Sequence, residues 1–226
     1  MSIVVIIPAF NEEAAIGKVI ADIPKPPVDH VIVGNNASTD DTIRVAEEAG
    51  AIVVTENRKG YGWACLKALE RSEALHPKII VFLDGDYSDY PEEIPDLIAP
   101  ILKDEVDMVI GSRALGEREK GSLTPQQVLG NWLATRMIRI FYGTKFTDLG
   151  PFRAIRKESL DLLKMADKTY GWTIEMQIKA VKQGLRFKEI PVRYKQRIGV
   201  SKVSGTVKGT VLAGIKIIFA VFKYRF

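Results

Sequence analysis

The sequence predicts an α/β fold built on a mainly parallel sheet. Three observations carry this. Short β-branched runs alternate with helical stretches of about 10–15 residues through the first half, the spacing of right-handed crossovers. The run Ile79-Ile80-Val81-Phe82-Leu83 is continuously apolar, as a strand buried on both faces must be. A chain of 226 residues that is 46% hydrophobic can hide roughly 70% of its unfolded surface, enough to fold without staples.

Taken in order, residues 3–7 read as a strand and 12–21 as a helix. A strand at 31–33 leads to a helix over 40–49 capped by Ser38 or Thr39. A strand at 51–54, a helix over 61–75, the strand at 79–83, a helix over 92–102 and a strand at 106–110 complete the regular half. Regularity fades after Ser112. Gly116 to Gly121 is charged and reads as a loop, followed by a helix over 125–141, a loop and strand around 147–156, a helix over 172–183 and a strand at 186–194. One domain is expected over 1–205, with a basic amphipathic helix over 206–226. That helix, interrupted by Lys208 and Lys216, has too short a clean apolar run to span a bilayer but suits an interface.

Composition removes several classes. A lone cysteine, Cys65, excludes a disulfide framework, and two histidines, His30 and His76, make no zinc site with it. Met1-Ser2 runs directly into Ile3 without a charged leader, so the cytoplasm is the expected compartment. The net charge of +4 conceals an asymmetry: residues 1–110 carry −11 and residues 111–226 carry +15. From Ile190 onward there are eight basic residues and no acidic one, which suits a phosphate or an anionic membrane. The acidic half and the lack of aromatic residues interleaved with bases argue against nucleic acid.

In open parallel sheets ligands bind at the carboxyl ends of strands. Those ends are polar here: Pro8-Ala9-Phe10-Asn11-Glu12, Asn35-Asn36, Asp84-Gly85-Asp86 and Gly111-Ser112-Arg113. No dinucleotide fingerprint or Walker A loop is present, which argues against a dehydrogenase or a P-loop enzyme. Two carboxylates two residues apart at the end of a buried strand call for a cation. Hard divalent ions such as Mg²⁺ or Mn²⁺ take carboxylate oxygens and share their other positions with water and phosphates. Arg113, Arg197 and Lys202 are candidate cations for a leaving diphosphate.

The strand-end motifs Pro8–Glu12, Asn35–Thr42 and Leu83–Asp86 together resemble the nucleotide-sugar domain of family 2 glycosyltransferases. Gly111-Ser112-Arg113, Gly150–Ala154 and Arg197–Lys202 are similar to motifs of the dolichol- and polyprenyl-phosphate sugar transferases. The resemblance covers about residues 1–205. It implies a GT-A fold and an inverting, metal-dependent transfer from a nucleotide-diphosphate sugar. It places Pro8, Ala9, Phe10 and Glu12 along the nucleotide, Asn36 at the base, Asp84 at ribose or metal and Asp86 at the metal-bound diphosphate. Phosphate or acceptor contacts fall to Arg153, Trp172, Arg197, Ser201 and Lys202, with Arg113 assisting catalysis.

Two departures from the family pattern stand out. Asn35-Asn36 replaces paired aspartates, and Ser88 stands where relatives commonly have Gln, so Asp89 becomes the expected third metal ligand after Asp84 and Asp86. Asn36 offers a donor and an acceptor matching uracil, which favours UDP over GDP. The expected acceptor is a polyprenyl phosphate at a membrane surface, with the enzyme peripheral on the inner face; a homo-oligomer is left open. A saccharide or small-molecule hydroxyl is the alternative acceptor and would need a base, for which Glu175 is the candidate, with Trp172 to stack on sugar or lipid. Two rivals remain: a phosphohydrolase with a nucleophilic aspartate, disfavoured because its loop follows the first strand, and a non-catalytic nucleotide- or lipid-binding relative.

Overall fold

A computed structural model describes residues 2–199 and 219–224. β1 (Ile3–Ala9), β2 (His30–Asn35), β3 (Ile52–Thr55), β4 (Ile79–Phe82), β5 (Met108–Ser112), β6 (Arg153–Arg156) and β7 (Phe187–Pro191) form one sheet in the order β3-β2-β1-β4-β6-β5-β7. All neighbours pair in parallel except β6, which runs antiparallel between β4 and β5. The α/β reading with a mainly parallel sheet therefore holds.

Because side chains alternate along a strand, β1 feeds two cores. Ile3, Val5 and Ile7 pack with α1 (Ile16–Ala21), α2 (Thr42–Glu48) and α4 (Ile94–Leu102). Val4 and Ile6 face the layer containing α3 (Tyr61–Ser72), α5 (Pro125–Tyr142), α6 (Lys157–Leu163) and α7 (Trp172–Lys182). The result is a three-layer sandwich with the carboxyl ends of β1, β2 and β4 at one edge.

Differences from the sequence reading are local. The first helix starts at Ile16 rather than residue 12, because Glu12 O accepts from the amides of Ala15 and Ile16 in a preceding turn. Ser38 and Thr39 cap no helix. They join the loop after β1 instead: Ser38 Oγ accepts from Asn11 N at 3.0 Å, and Thr39 N donates to Asn11 Oδ1 at 2.8 Å. β5 lies two residues later than expected, and α6 was not expected at all.

Val200 to Ile218 lie outside the described residues, and with them Ser201, Lys202 and most of the expected C-terminal helix. Residues 219–223 form a helical turn fastened to the end of α5, where Tyr142 Oη donates to Val221 O at 2.6 Å and the Phe141 and Phe222 rings lie 5.1 Å apart. No described helix is long and apolar enough to cross a membrane.

Candidate active site

A cleft of about 260 Å³ opens at the carboxyl ends of β1, β2 and β4. Pro8, Ala9, Phe10, Glu12, Asn36, Asp84, Asp86 and Arg197 all line it, so eight residues singled out in the sequence converge on one place. The loops that carry them are tied together. Glu12 N donates to Thr42 Oγ1 at 2.8 Å and Asn36 N donates to Ala9 O at 2.8 Å.

The floor of the cleft is acidic. Asp84 accepts from Tyr61 Oη at 3.0 Å, yet burial and then the charge of Asp86 push its carboxyl up to about 7. Asp86 accepts from Ser88 through both its amide and its hydroxyl, and its Oδ2 lies 2.9 Å from Arg197 Nη1. Arg197 Nη2 reaches Glu12 Oε1 at 3.2 Å, so one guanidinium bridges two carboxylates across the cleft. The segment bearing Arg197 is strapped over this loop by Lys195 N to Ser88 O and Ile198 N to Asp86 O, each 2.9 Å. Lys195 Nζ also sits 3.3 Å above the Tyr87 ring.

Asp89 is 1% exposed, and among the described residues neither of its carboxylate oxygens has a hydrogen-bond partner. Burial, then Asp84 and Asp86, hold it well above the usual carboxylate range. Clustered carboxylates that lift one another's affinity for protons are short of positive charge, so a hard divalent cation fits. Among the described residues no three acidic, histidine or cysteine side chains gather around a single point, so Asp89 does not complete a three-residue ligand set with Asp84 and Asp86. Two carboxylates with a diphosphate and water suit Mg²⁺ or Mn²⁺. An ion held there would compete with a proton on Asp84. Manganese affinity is therefore expected to climb as pH rises through 7, and Tyr61→Phe, which removes a donor to the carboxylate, should move that rise to higher pH; titration calorimetry at several pH values checks both.

A family model described as glycosyl transferase family 2 matches residues 4–163. The chain belongs to this family. This family 2 glycosyltransferase is 31% identical over 211 residues to the low-salt glycan biosynthesis hexosyltransferase Agl6 of Haloferax volcanii. The match covers 91% of the chain and 50% of the relative, so the chain spans half that relative's length. It is 27% identical over 227 residues to the undecaprenyl-phosphate mannosyltransferase of Micrococcus luteus, covering 95% of the chain and 93% of the relative. Among solved structures, glucosyl-3-phosphoglycerate synthase of Mycobacterium tuberculosis, in complex with Mn²⁺, UDP and glucosyl-3-phosphoglycerate, superposes with a TM-score of 0.77 at 26% identity. That superposition covers 99% of this chain and 79% of the other, and the shared architecture is GT-A.

Five residues expected in this transferase's site do other work. Glu175 is fully buried; it accepts from the amides of Ala166 at 3.0 Å and Asp167 at 2.7 Å and pairs with Lys179 at 2.7 Å, so it pins a loop and is no free base. Trp172 is 1% exposed and packs edge-on against Phe82, leaving no face for a sugar. Arg153 is 0% exposed, inside the sheet, and donates to the carbonyls of Leu149, Gly150 and Thr173 rather than to a phosphate. Arg113 grips Asp148 through both carboxylate oxygens at 2.7 and 2.8 Å and does not line the described cleft. The Asn36 amide is bonded to backbone, not presented to a base.

The sequence reading missed Lys59, Gly60, Tyr61 and Tyr170, which also line the cleft. A signal was present in Gly60-Tyr61-Gly62. A Cβ on Gly60 would lie 2.2 Å from Lys168 O, and one on Gly62 would lie 2.0 Å from Asp167 O, so only glycine lets the 167–170 loop close on α3.

Proposed function

We propose that this enzyme transfers a hexose from a UDP-sugar to a polyprenyl phosphate, with inversion, aided by Mg²⁺ or Mn²⁺. The observation that carries this is the pairing of Asp84 and Asp86 with Arg197 at the strand ends: carboxylates for a divalent ion beside a guanidinium for phosphate. The UDP preference draws on the structural neighbour crystallised with that nucleotide, and the acceptor on the relative named for undecaprenyl phosphate. A divalent ion bound there supplies positive charge to the departing diphosphate. Arg197 supplies a second, fixed cation, and Tyr61 holds the Asp84 carboxylate in place.

An acceptor phosphate attacks through an oxygen that is already anionic; its bond to the anomeric carbon forms as the carbon–diphosphate bond breaks and UDP leaves with the electron pair. No base is needed. The reading is supported by the burial of Glu175 and by the partners of the acidic residues lining the described cleft: Glu12 and Asp86 pair with Arg197, and Asp84 accepts from Tyr61. A hydroxyl-bearing acceptor is the second reading, favoured by the neighbour that makes glucosyl-3-phosphoglycerate.

A peripheral position at a membrane is supported by α5. This helix has no acidic residue and turns Leu129, Trp132 and Ile140, each more than half exposed, outward beside Arg136 and Arg139. Phe219, Phe222 and Lys223 are exposed on the turn fastened to its end. Aromatic and apolar contacts plus about 1 kcal/mol per basic residue suit an anionic surface. Cosedimentation with phosphatidylglycerol vesicles is expected at low salt and should weaken at high salt. A donor screen reading nucleotide release tests the reaction itself. UDP release that requires both manganese and polyprenyl phosphate is the expected result, whereas release driven by soluble hydroxyl acceptors favours the second reading.

A further inference from the structure

We propose that Asn36 sets nucleotide specificity by fixing the 56–60 loop as one wall of the donor cleft rather than by donating to the base; this rests on the donor-site reading above. Asn36 directly follows β2, is 7% exposed, and makes three side-chain bonds to that loop. Its Oδ1 accepts from Gly60 N at 2.7 Å, and its Nδ2 donates to Arg58 O at 2.7 Å and to Glu56 O at 3.3 Å. A primary amide has two N–H donors, and both are committed here. The amide orientation follows from its surroundings, because two carbonyls face one end and an N–H faces the other.

No carboxylate reproduces this. An aspartate at position 36 would set an anion against the carbonyls of Glu56 and Arg58 and lose both donors. The amide thus has a structural reason to stand at position 36, one unrelated to reading uracil.

The loop it fixes is otherwise braced. Glu56, 7% exposed, accepts from Arg58 N and Nε at 2.8 Å each and from Nη2 at 2.6 Å, and the Arg58 guanidinium lies 3.4 Å over the Trp63 ring. Its far end faces the cleft: Lys59 and Gly60 line it, and Lys59 Nζ stands 5.4 Å from the centre of the Phe10 ring. Phe10 and the loop border the same cleft, and a planar base held between them would feel the loop's position. Discrimination between a pyrimidine and a purine is then a matter of shape, with Asn36 as the positioning residue.

Two readouts test this. Trypsin cuts after Arg58 and Lys59, so nicking reports loop order with no nucleotide present, and calorimetric titration of UDP and GDP reports the affinity ratio. Asn36→Asp is expected to speed nicking and to weaken UDP binding, each roughly tenfold, as two hydrogen bonds are lost, while the UDP-to-GDP ratio moves toward one. Glu56→Gln, which loosens the same loop with Asn36 intact, should shift the ratio in the same direction. The proposal is overturned if Asn36→Asp changes the ratio while the loop stays as resistant as wild type, which would mean direct reading of the base. It is equally overturned if the loop opens and the ratio is unchanged, or if Glu56→Gln opens the loop without moving the ratio. Wild-type protein that binds neither nucleotide defeats the donor-site reading and the specificity claim together, whereas the nicking comparison still decides whether Asn36 holds the loop.

Discussion

Asp86→Asn is expected to lower kcat roughly a hundred- to a thousandfold while leaving the fold intact. The substitution keeps the shape of a 6% exposed side chain but removes the charge that faces Arg197 and the proposed cation. Losing one preorganised electrostatic element of a transfer site costs about 10²–10³ in rate. The amide still has an oxygen to accept from Ser88, so the turn from Asp86 to Ser88 survives. Steady-state kinetics under saturating manganese, beside circular dichroism and a melting curve, separate lost chemistry from lost structure. Glu175→Gln is the contrast: because Glu175 holds the 166–167 amides away from the cleft, its loss should appear in stability before turnover. Unchanged kcat in Asp86→Asn would remove the diphosphate from this end of the sheet.

Asp148→Asn carries the largest expected stability loss. Arg113 is half enclosed by the Asp148 carboxylate and the Tyr194 ring, with side-chain exposures of 13% for the arginine and 2% for the aspartate. The Arg113 charge holds Asp148 below the usual carboxylate range despite burial, and Asp148 in turn holds Arg113 firmly protonated. Neutralising the acid leaves a buried cation without its partner, a change that costs about 3–5 kcal/mol. Urea denaturation measures it. Replacing both members together with apolar residues of similar volume should recover most of that loss, since burying the pair costs desolvation in the first place. A single-variant loss below about 1 kcal/mol, the scale of an exposed pair, would show that Arg113 is free to serve a ligand after all.

Much of the fold was legible because the first five strands are short apolar runs between helices, and burial on both faces of β1, β2, β4 and β5 follows from that composition. β6 falls within the loop and strand read around 147–156, but its antiparallel place between β4 and β5 did not show in the sequence. It is four residues long and begins with Arg153, a fully buried cation whose two terminal nitrogens donate to carbonyls brought from 149, 150 and 173, a compensation that no local pattern announces. α6 follows it without glycine or proline, so nothing in the chain marks the change from strand to helix.

The same division holds at the site. Pro8 to Glu12, Asn36, Asp84 and Asp86 were legible because strand-end polarity is a local property. Glu175 and Trp172 were misplaced because α7 presents several faces, and which one meets the core depends on packing against Phe82 and the 166–167 loop. Arg113 looked like a phosphate ligand because its partner, Asp148, lies 35 residues away in sequence. Lys59, Tyr61 and Tyr170 reach the cleft only because loops after β3 and before α7 close on each other at Gly60 and Gly62.

The central claim is that a divalent ion joins the carboxylates at the end of β4 to a donor diphosphate. Anomalous difference density from crystals grown with manganese and UDP tests it most directly. A manganese peak within coordination distance of Asp84 or Asp86 and of a UDP phosphate oxygen is the predicted result. UDP bound elsewhere, or bound in this cleft with both aspartates turned away and still facing Arg197 and Tyr61 alone, would contradict it.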